Sequence, residues 1–172
     1  GSVDVEVPLL YDPGLLSMCP HKGRGVLWVI EDKSGPGEVR NHMVFKEFLD
    51  ELRSRTQVIL LSDTFEQFGR PLMQQLGWPT IFCHQLIVTD DRIVDYRLRM
   101  ADQKRHAVEA FRSLNYRVVA SGDSYNDSAM LGAANAGFWF RSPASIVAEF
   151  PQFPATDDYD TLLASITTAL EG

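Results

Sequence analysis

Gly122-Asp123-Ser124-Tyr125-Asn126-Asp127 sets two carboxylates four residues apart on a turn. The residues before it, Arg117-Val118-Val119-Ala120-Ser121, read as a buried strand, and Ser128-Ala129-Met130-Leu131 behind it as the start of a helix. Clustered acids at the carboxyl end of a parallel strand suit a hard divalent cation such as magnesium, which takes oxygen ligands. The plainer account of the same residues is a strand–turn–helix with an aspartate cap. Two further clusters favour the chemical account. Ser62-Asp63-Thr64 follows the apolar run Val58-Ile59-Leu60-Leu61, where a hydroxyl and exposed N–H groups at a helix start can cradle a phosphate; taken alone, the same residues read as a common helix cap. Lys104 stands at the start of a helix, where the dipole disfavours a cation; an anionic ligand supplies a reason for it, and a solvated surface lysine is the alternative.

The elements that must position these residues alternate from about residue 43 onward. Val44, Phe45, Phe48, Leu49 and Leu52 recur at helical spacing. Val58–Leu61 has no polar alternation, as expected of a strand covered on both faces. Phe65, Phe68, Leu72 and Leu76 form the next helical stripe, kinked or restarted at Pro71 and ended at Gly77. Thr80–Cys83 reads as a strand, and Leu86–Val88 with Ile93–Leu98 as a hairpin around Thr89-Asp90-Asp91-Arg92. Then come a helix over about 103–114, a strand at Val118–Ala120, a helix over Ser124–Ala134 and a strand at Ala136–Phe140. A helix opened by Pro143 and a last one along Tyr159, Leu162, Leu163, Ile166 and Leu170 close the chain. This order predicts an α/β fold: a Rossmann-like, doubly wound, mostly parallel sheet with helices on both faces and one antiparallel hairpin.

Residues 1–42 read differently. They are rich in turn signals (Pro8, Asp12-Pro13-Gly14, Pro20, Ser34-Gly35-Pro36-Gly37), and Val26-Leu27-Trp28-Val29-Ile30 is their one clear strand. The expected organisation is therefore an irregular or replaced segment over 1–42, supplying the strand 26–30, and a core domain over 43–172. Gly1-Ser2 reads as a cloning remnant, and His42-Met43 as a junction.

The 172 residues suffice for a substantial core, and 45% hydrophobic with 23% charged residues is ordinary for a globular protein. A net charge of −7 argues against a nucleic-acid partner. No apolar run approaches the roughly 18 residues of a membrane helix. Two cysteines, Cys19 and Cys83, form no disulfide framework, so a reducing, cytoplasmic location is expected. The histidines (His21, His42, His84, His106) lack metal-ligand spacing, although His106 lies near Lys104. Trp28, Trp78 and Trp139 are expected in or beside the core. Arg97 and Arg99 read as a solvated strand face, with a carboxylate-binding role as the alternative.

Hydroxyl, lysine and paired acids, in the order Ser62, Lys104, Asp123, resemble the motifs of the haloacid dehalogenase-type phosphatases. Val58–Phe65, Arg117–Asp127 and Phe150-Pro151-Gln152-Phe153-Pro154 resemble more closely the phosphoserine phosphatase branch and its bifunctional phosphoserine phosphatase/homoserine kinase members. The likeness covers residues 43 to about 170. It implies a magnesium-dependent phosphomonoester hydrolase acting on a small phosphorylated metabolite through an aspartyl-phosphate intermediate. Ser62, Asp63, Lys104 and Asn126 would meet the phosphoryl group, Lys104 would neutralise its charge, and Asp123 would ligate magnesium. Asp127 would support the site by ligation or by holding Lys104.

The family's nucleophile is an aspartate ending the first strand, followed two residues later by a second acid. Asp32 is the candidate here, as nucleophile and metal ligand, in Asp32-Lys33-Ser34-Gly35, where Ser34 occupies the place of the second acid. Asp4-Val5-Glu6 keeps the acid spacing but has three residues ahead of it. The helical cap that the branch inserts after its first strand is absent or reduced to about residues 33–43. The rival expectation is a catalytically inactive truncated or engineered chimera that keeps the fold, or an oligomerising scaffold in which a homodimer exchanges Val26–Ile30.

Overall fold

Short runs of branched and aromatic residues build a seven-stranded sheet, and amphipathic helices cover both of its faces. The computed structural model describes the backbone of residues 24–28 and 39–172 and the side chains from residue 44 onward. In chain order the elements are β1 (Arg24–Trp28), α1 (Val39–Arg55), β2 (Gln57–Phe65), α2 (Glu66–Gln75), β3 (Thr80–Thr89), β4 (Arg92–Arg97) and α3 (Gln103–Ser113). They continue with β5 (Arg117–Gly122), a 3₁₀ turn (Tyr125–Asp127), α4 (Ser128–Ala133), β6 (Ala136–Phe140), α5 (Ala144–Glu149), β7 (Ala155–Thr156) and α6 (Tyr159–Glu171). The strands lie in the order β4-β3-β2-β1-β5-β6-β7. Every neighbouring pair is parallel except β3 and β4. This is the doubly wound, mostly parallel sheet with a hairpin that the residue pattern predicts.

The period-two alternation of each strand splits the core between two faces. Val58 and Leu60 of β2, Val119 of β5 and Phe138 and Phe140 of β6 pack on one face, against Phe45, Phe48, Leu49 and Leu52 of α1, Met73 and Leu76, and Leu162, Ile166 and Leu170 of α6. Leu61, Val118, Ala120 and Trp139 point to the other face, against Val108 of α3 and Met130 and Leu131 of α4. Strands buried on both sides need unbroken apolar runs, which is why these segments lack polar alternation.

β1 lies at the centre, between β2 and β5, with Trp28 level with Leu60 on one side and Ser121 on the other. Its carboxyl end therefore faces the same end of the sheet as Ser62 and Asp123. The expected strand was Val26–Ile30; the described one begins two residues earlier, and Val29 and Ile30 lie outside the described residues.

Several elements differ from the sequence-based expectation. β2 does not stop at Leu61 but continues to Phe65, with its pairing to β3 shifted between Leu61 and Phe65. The Thr64 N–H donates to Ser62 Oγ at 3.2 Å, a local bond that competes with the ladder and accounts for the irregularity. The Ser62-Asp63-Thr64 cluster is therefore the distorted end of a strand, and α2 starts after it, at Glu66. Thr80–Cys83 and Leu86–Val88 form a single strand, β3, which pairs with β2 through its first half and with β4 through its second. The hairpin turns on Asp90 and Asp91, both left-handed at φ 48° and 57°, the geometry that matches the twist of a two-residue hairpin. Trp78 is 44% exposed, because Gly77 and Trp78 both take left-handed conformations that turn the chain out of α2 and away from the core. The two-residue strand β7 carries too few residues to show a pattern.

Candidate active site

Two strand exits, those of β2 and β5, meet the start of α3 at one end of the sheet, and a buried lysine joins them. Lys104 is the second residue of α3, and its side chain is 4% exposed. Its Nζ lies 2.9 Å from Asp127 Oδ1 and 2.9 Å from Asp63 Oδ2. Burial works against the charge of Lys104, but the Asp127 and Asp63 carboxylates outweigh it and raise its pKa above the ordinary lysine value. The lysine sits at an unfavourable end of the helix dipole because two anions compensate it.

The turn after β5 is built around Asp127. Its Oδ2 accepts the Asp123 N–H at 3.0 Å, the Ser124 N–H at 3.1 Å and the Ser124 hydroxyl at 3.1 Å. Ser124 and Asp127 form a reciprocal capping box, which tightens Tyr125–Asp127 into a 3₁₀ turn and delays α4 until Ser128. The expected helix over 124–134 is shorter for that reason. Gly122 makes room for this arrangement: a Cβ there would lie 2.5 Å from the Asp127 Cβ and 2.6 Å from its Oδ2. With one oxygen given to Lys104 and the other to three donors, Asp127 is committed to holding the turn and the lysine.

Asp63 is tied to the same group from the β2 side. Besides Lys104 it accepts hydrogen bonds from Gln103 Nε2 at 3.1 Å and Asn126 Nδ2 at 2.9 Å. Burial alone would raise its pKa, but Lys104, Gln103 and Asn126 together hold it below the ordinary carboxylate value. Gln103 also donates to the Ser62 carbonyl at 2.7 Å, so the start of α3 is fastened directly to the end of β2. The buried His84 ring of β3 sits with Nε2 3.9 Å from Asp63 Oδ1.

Ser62, Asp63, Lys104, Asn126 and Asp127 thus belong to one hydrogen-bonded cluster, and Asp123 joins it through its main-chain N–H. Asp32 and Asp4 lie outside the described residues, as do Cys19 and His21. His106 Nδ1 lies 3.3 Å from Glu109 Oε2. Arg97 pairs with Gln85, and Arg99 stacks on Phe82 at 4.1 Å. Cys83 is half-buried, and burial with the neighbouring Glu66 pushes its thiol up to about 11, far from nucleophilic reactivity. Two site residues escaped the sequence reading, Gln103 and His84. Gln103 adjoins the lysine and His84 lies in a strand, but no spacing rule marks either, because their partners are 40 and 41 residues away for Gln103 and, for His84, on a neighbouring strand.

Among the described residues, no group of three or more His, Cys, Asp or Glu side chains gathers as a metal site. Magnesium, however, is commonly held by one or two carboxylates together with waters and substrate phosphate. Asp123, half-buried directly after β5, is a donor of the required oxygen type.

A haloacid dehalogenase-like hydrolase family model matches residues 15–135. The chain is 56% identical over 117 residues to the phosphoserine phosphatase of Pseudomonas syringae pv. tomato, covering 67% of this chain and 49% of that protein. It is also 56% identical over 117 residues to phosphoserine phosphatase ThrH of Pseudomonas aeruginosa, there covering 57% of the relative. The chain thus spans about half the length of the curated relatives it matches. Among solved structures, an apo phosphoserine phosphatase superposes with a TM-score of 0.65 at 18% identity, over 83% of this chain and 98% of that one, a likeness of fold. The phosphoserine phosphatase of T. onnurineus in complex with NDSB-201 gives a TM-score of 0.55 at 26% identity, over 70% of this chain and 56% of that one.

Proposed function

This chain belongs to the haloacid dehalogenase-like hydrolases, on their phosphoserine phosphatase branch, and from that premise we propose that it hydrolyses a phosphomonoester of a small metabolite, phosphoserine being the first candidate. The observation that carries this reading is the lysine shared between two carboxylates where β2, α3 and β5 converge. A buried cation at the carboxyl ends of parallel strands is the group needed to neutralise an incoming phosphoryl group.

In this reading the Ser62 hydroxyl, the Asp63 main-chain N–H, Lys104 and Asn126 bind and orient the phosphoryl oxygens. Lys104 stabilises the charge that spreads over them in the transition state. Asp127 keeps Lys104 charged and aimed. Asp32 is the nucleophile: its carboxylate attacks phosphorus, the ester P–O bond breaks, and the leaving oxygen takes a proton from solvent to become the alcohol. Water then attacks the aspartyl-phosphate, releasing inorganic phosphate and regenerating the carboxylate. Asp32 follows Trp28, which lies level with Leu60 and Ser121, by four residues in the sequence. Asp123, with Asp32, would hold magnesium, which supplies Lewis-acid polarisation and charge neutralisation of the phosphoryl group when bound. Residues 43–172 would form the catalytic core, with 1–42 as the segment that completes it.

The test is release of inorganic phosphate from phosphoserine and from p-nitrophenyl phosphate, with and without magnesium, for the whole chain and for Asp32→Asn and Asp123→Asn. Magnesium-dependent turnover that both substitutions abolish is expected. Turnover unaffected by Asp32→Asn would remove that residue from the mechanism, and no turnover by the unaltered chain would reject the hydrolase reading.

A further inference from the structure

Two of the donors that the phosphate site would offer its ligand, those of Lys104 and Asn126, are already engaged. Lys104 Nζ, Asn126 Nδ2 and Gln103 Nε2 converge on the two oxygens of Asp63 at 2.9, 2.9 and 3.1 Å. They come from the start of α3 and from the 3₁₀ turn. His84 adds to the ring around it. Its Nδ1 accepts the Arg99 N–H at 3.1 Å, and its Nε2 lies 3.9 Å from Asp63 Oδ1. A carboxylate held this way has the surroundings of a bound oxyanion.

The two carboxylates on Lys104 are not equivalent. Asp127 is 1% exposed and fastened by three further donors of its own turn. Asp63 is 38% exposed, and among the described residues its side chain is held by Lys104, Gln103 and Asn126, groups that a phosphoryl ligand would itself use or adjoin. With both carboxylates in place the lysine's single charge is over-compensated, so a second anion arriving beside Lys104 meets net repulsion. Desolvated like charges cannot share one cation without loss, whereas a partly exposed side chain can rotate into water.

We propose that Asp63 is an internal counter-anion: it occupies the phosphoryl seat on Lys104 and Asn126 in the free protein and swings toward solvent when a phosphate or phosphate ester takes that seat. This inference rests on the phosphate-site reading given above. It makes Asp63 a positioning residue with two effects. It holds Lys104 and Asn126 in their binding geometry before ligand arrives, and it weakens binding of any anion that gains too little elsewhere to displace it. Free inorganic phosphate is the anion most affected, since it brings no further contacts.

The experiment measures binding of inorganic phosphate by calorimetry and by ³¹P line broadening, at fixed ionic strength, to the whole chain and to Asp63→Asn, Asp63→Ser, Lys104→Met and Asp63→Asn/Lys104→Met. Phosphate no longer has to displace a carboxylate from Lys104, which predicts at least tenfold tighter phosphate binding by Asp63→Asn, and the same direction for Asp63→Ser should the amide variant fold poorly. The gain must vanish in the Lys104→Met background. An Asp63 that served only to brace the fold would show the reverse, a lowered melting temperature with equal or weaker phosphate binding. If Lys104→Met abolishes phosphate binding but neither Asp63 variant tightens it, the counter-anion role is wrong and the phosphate site stands. If neither the unaltered chain nor any Asp63 variant binds phosphate, both fall together.

Discussion

Replacing Asp127 by alanine tests the physical core of this site most directly. Its Oδ1 lies 2.9 Å from Lys104 Nζ, and unit charges at that separation attract by roughly 6 kcal/mol at an effective dielectric near 20. Most of that offsets the desolvation of two buried ions, so the attraction is not the net worth of the pair. Removing one partner is a different operation, because it strands the other. Breaking a buried pair in this way typically costs about 3–5 kcal/mol. Asp127→Ala would also leave the Asp123 and Ser124 N–H groups without their carboxylate, while Lys104 would keep Asp63 at 2.9 Å. The retained partner places the expected loss near the lower end, about 3–4 kcal/mol, which for a chain of this length lowers the melting temperature by roughly 6–16 °C. Urea unfolding, with a midpoint shift at unchanged slope, is the assay. Lys104→Met/Asp127→Ala should lose less than the sum of the single losses, by at least about 1 kcal/mol, since no buried charge is then stranded. A loss below about 1 kcal/mol for Asp127→Ala, or strict additivity in the double variant, would mean that the carboxylate and the lysine do not hold the strand exits together.

Two other predictions follow from the same geometry. Gly122→Ala places a methyl group 2.5 Å from the Asp127 Cβ, so the turn must shift. The expected outcome is about 1–3 kcal/mol of destabilisation together with weaker phosphate binding, and unchanged binding by a calorimetrically intact variant would show that the turn's position is not critical. Stability should also be flat across neutral pH and fall at both extremes. Asp63 has a lowered pKa in the folded chain, so its contribution is present above the unfolded carboxyl value and is lost as pH falls through the folded one. Lys104 has a raised pKa, so its contribution is present below the unfolded lysine value and is lost as pH rises through the folded one. Urea midpoints recorded against pH should show a shallower acid limb in Asp63→Asn and a shallower alkaline limb in Lys104→Met; limbs identical to the unaltered chain's would contradict the assignment.

Much of this protein is written locally. The unbroken apolar runs at Val58–Leu61, Val118–Ala120 and Ala136–Phe140 identify strands buried on both faces, and the helical stripes between them imply parallel pairing, because only a helix-length crossover returns the chain in the same direction. The turn Gly122–Asp127 is equally legible, since its capping box lies within four residues. What local pattern does not carry is pairing over distance. Nothing within Ser62-Asp63-Thr64 reveals that β2 runs on through it, because the ladder partner, His84, belongs to another strand. Nothing around Lys104 shows whether it faces water or lies between two carboxylates, because those carboxylates are 41 and 23 residues away in the chain. The roles of Gln103 and Asp63 arise only when α3 docks against the end of β2. The residue types of the site are thus a property of the sequence, while the buried charge balance among Lys104, Asp127 and Asp63 is a property of the fold, since only tertiary packing removes the water that would otherwise screen it.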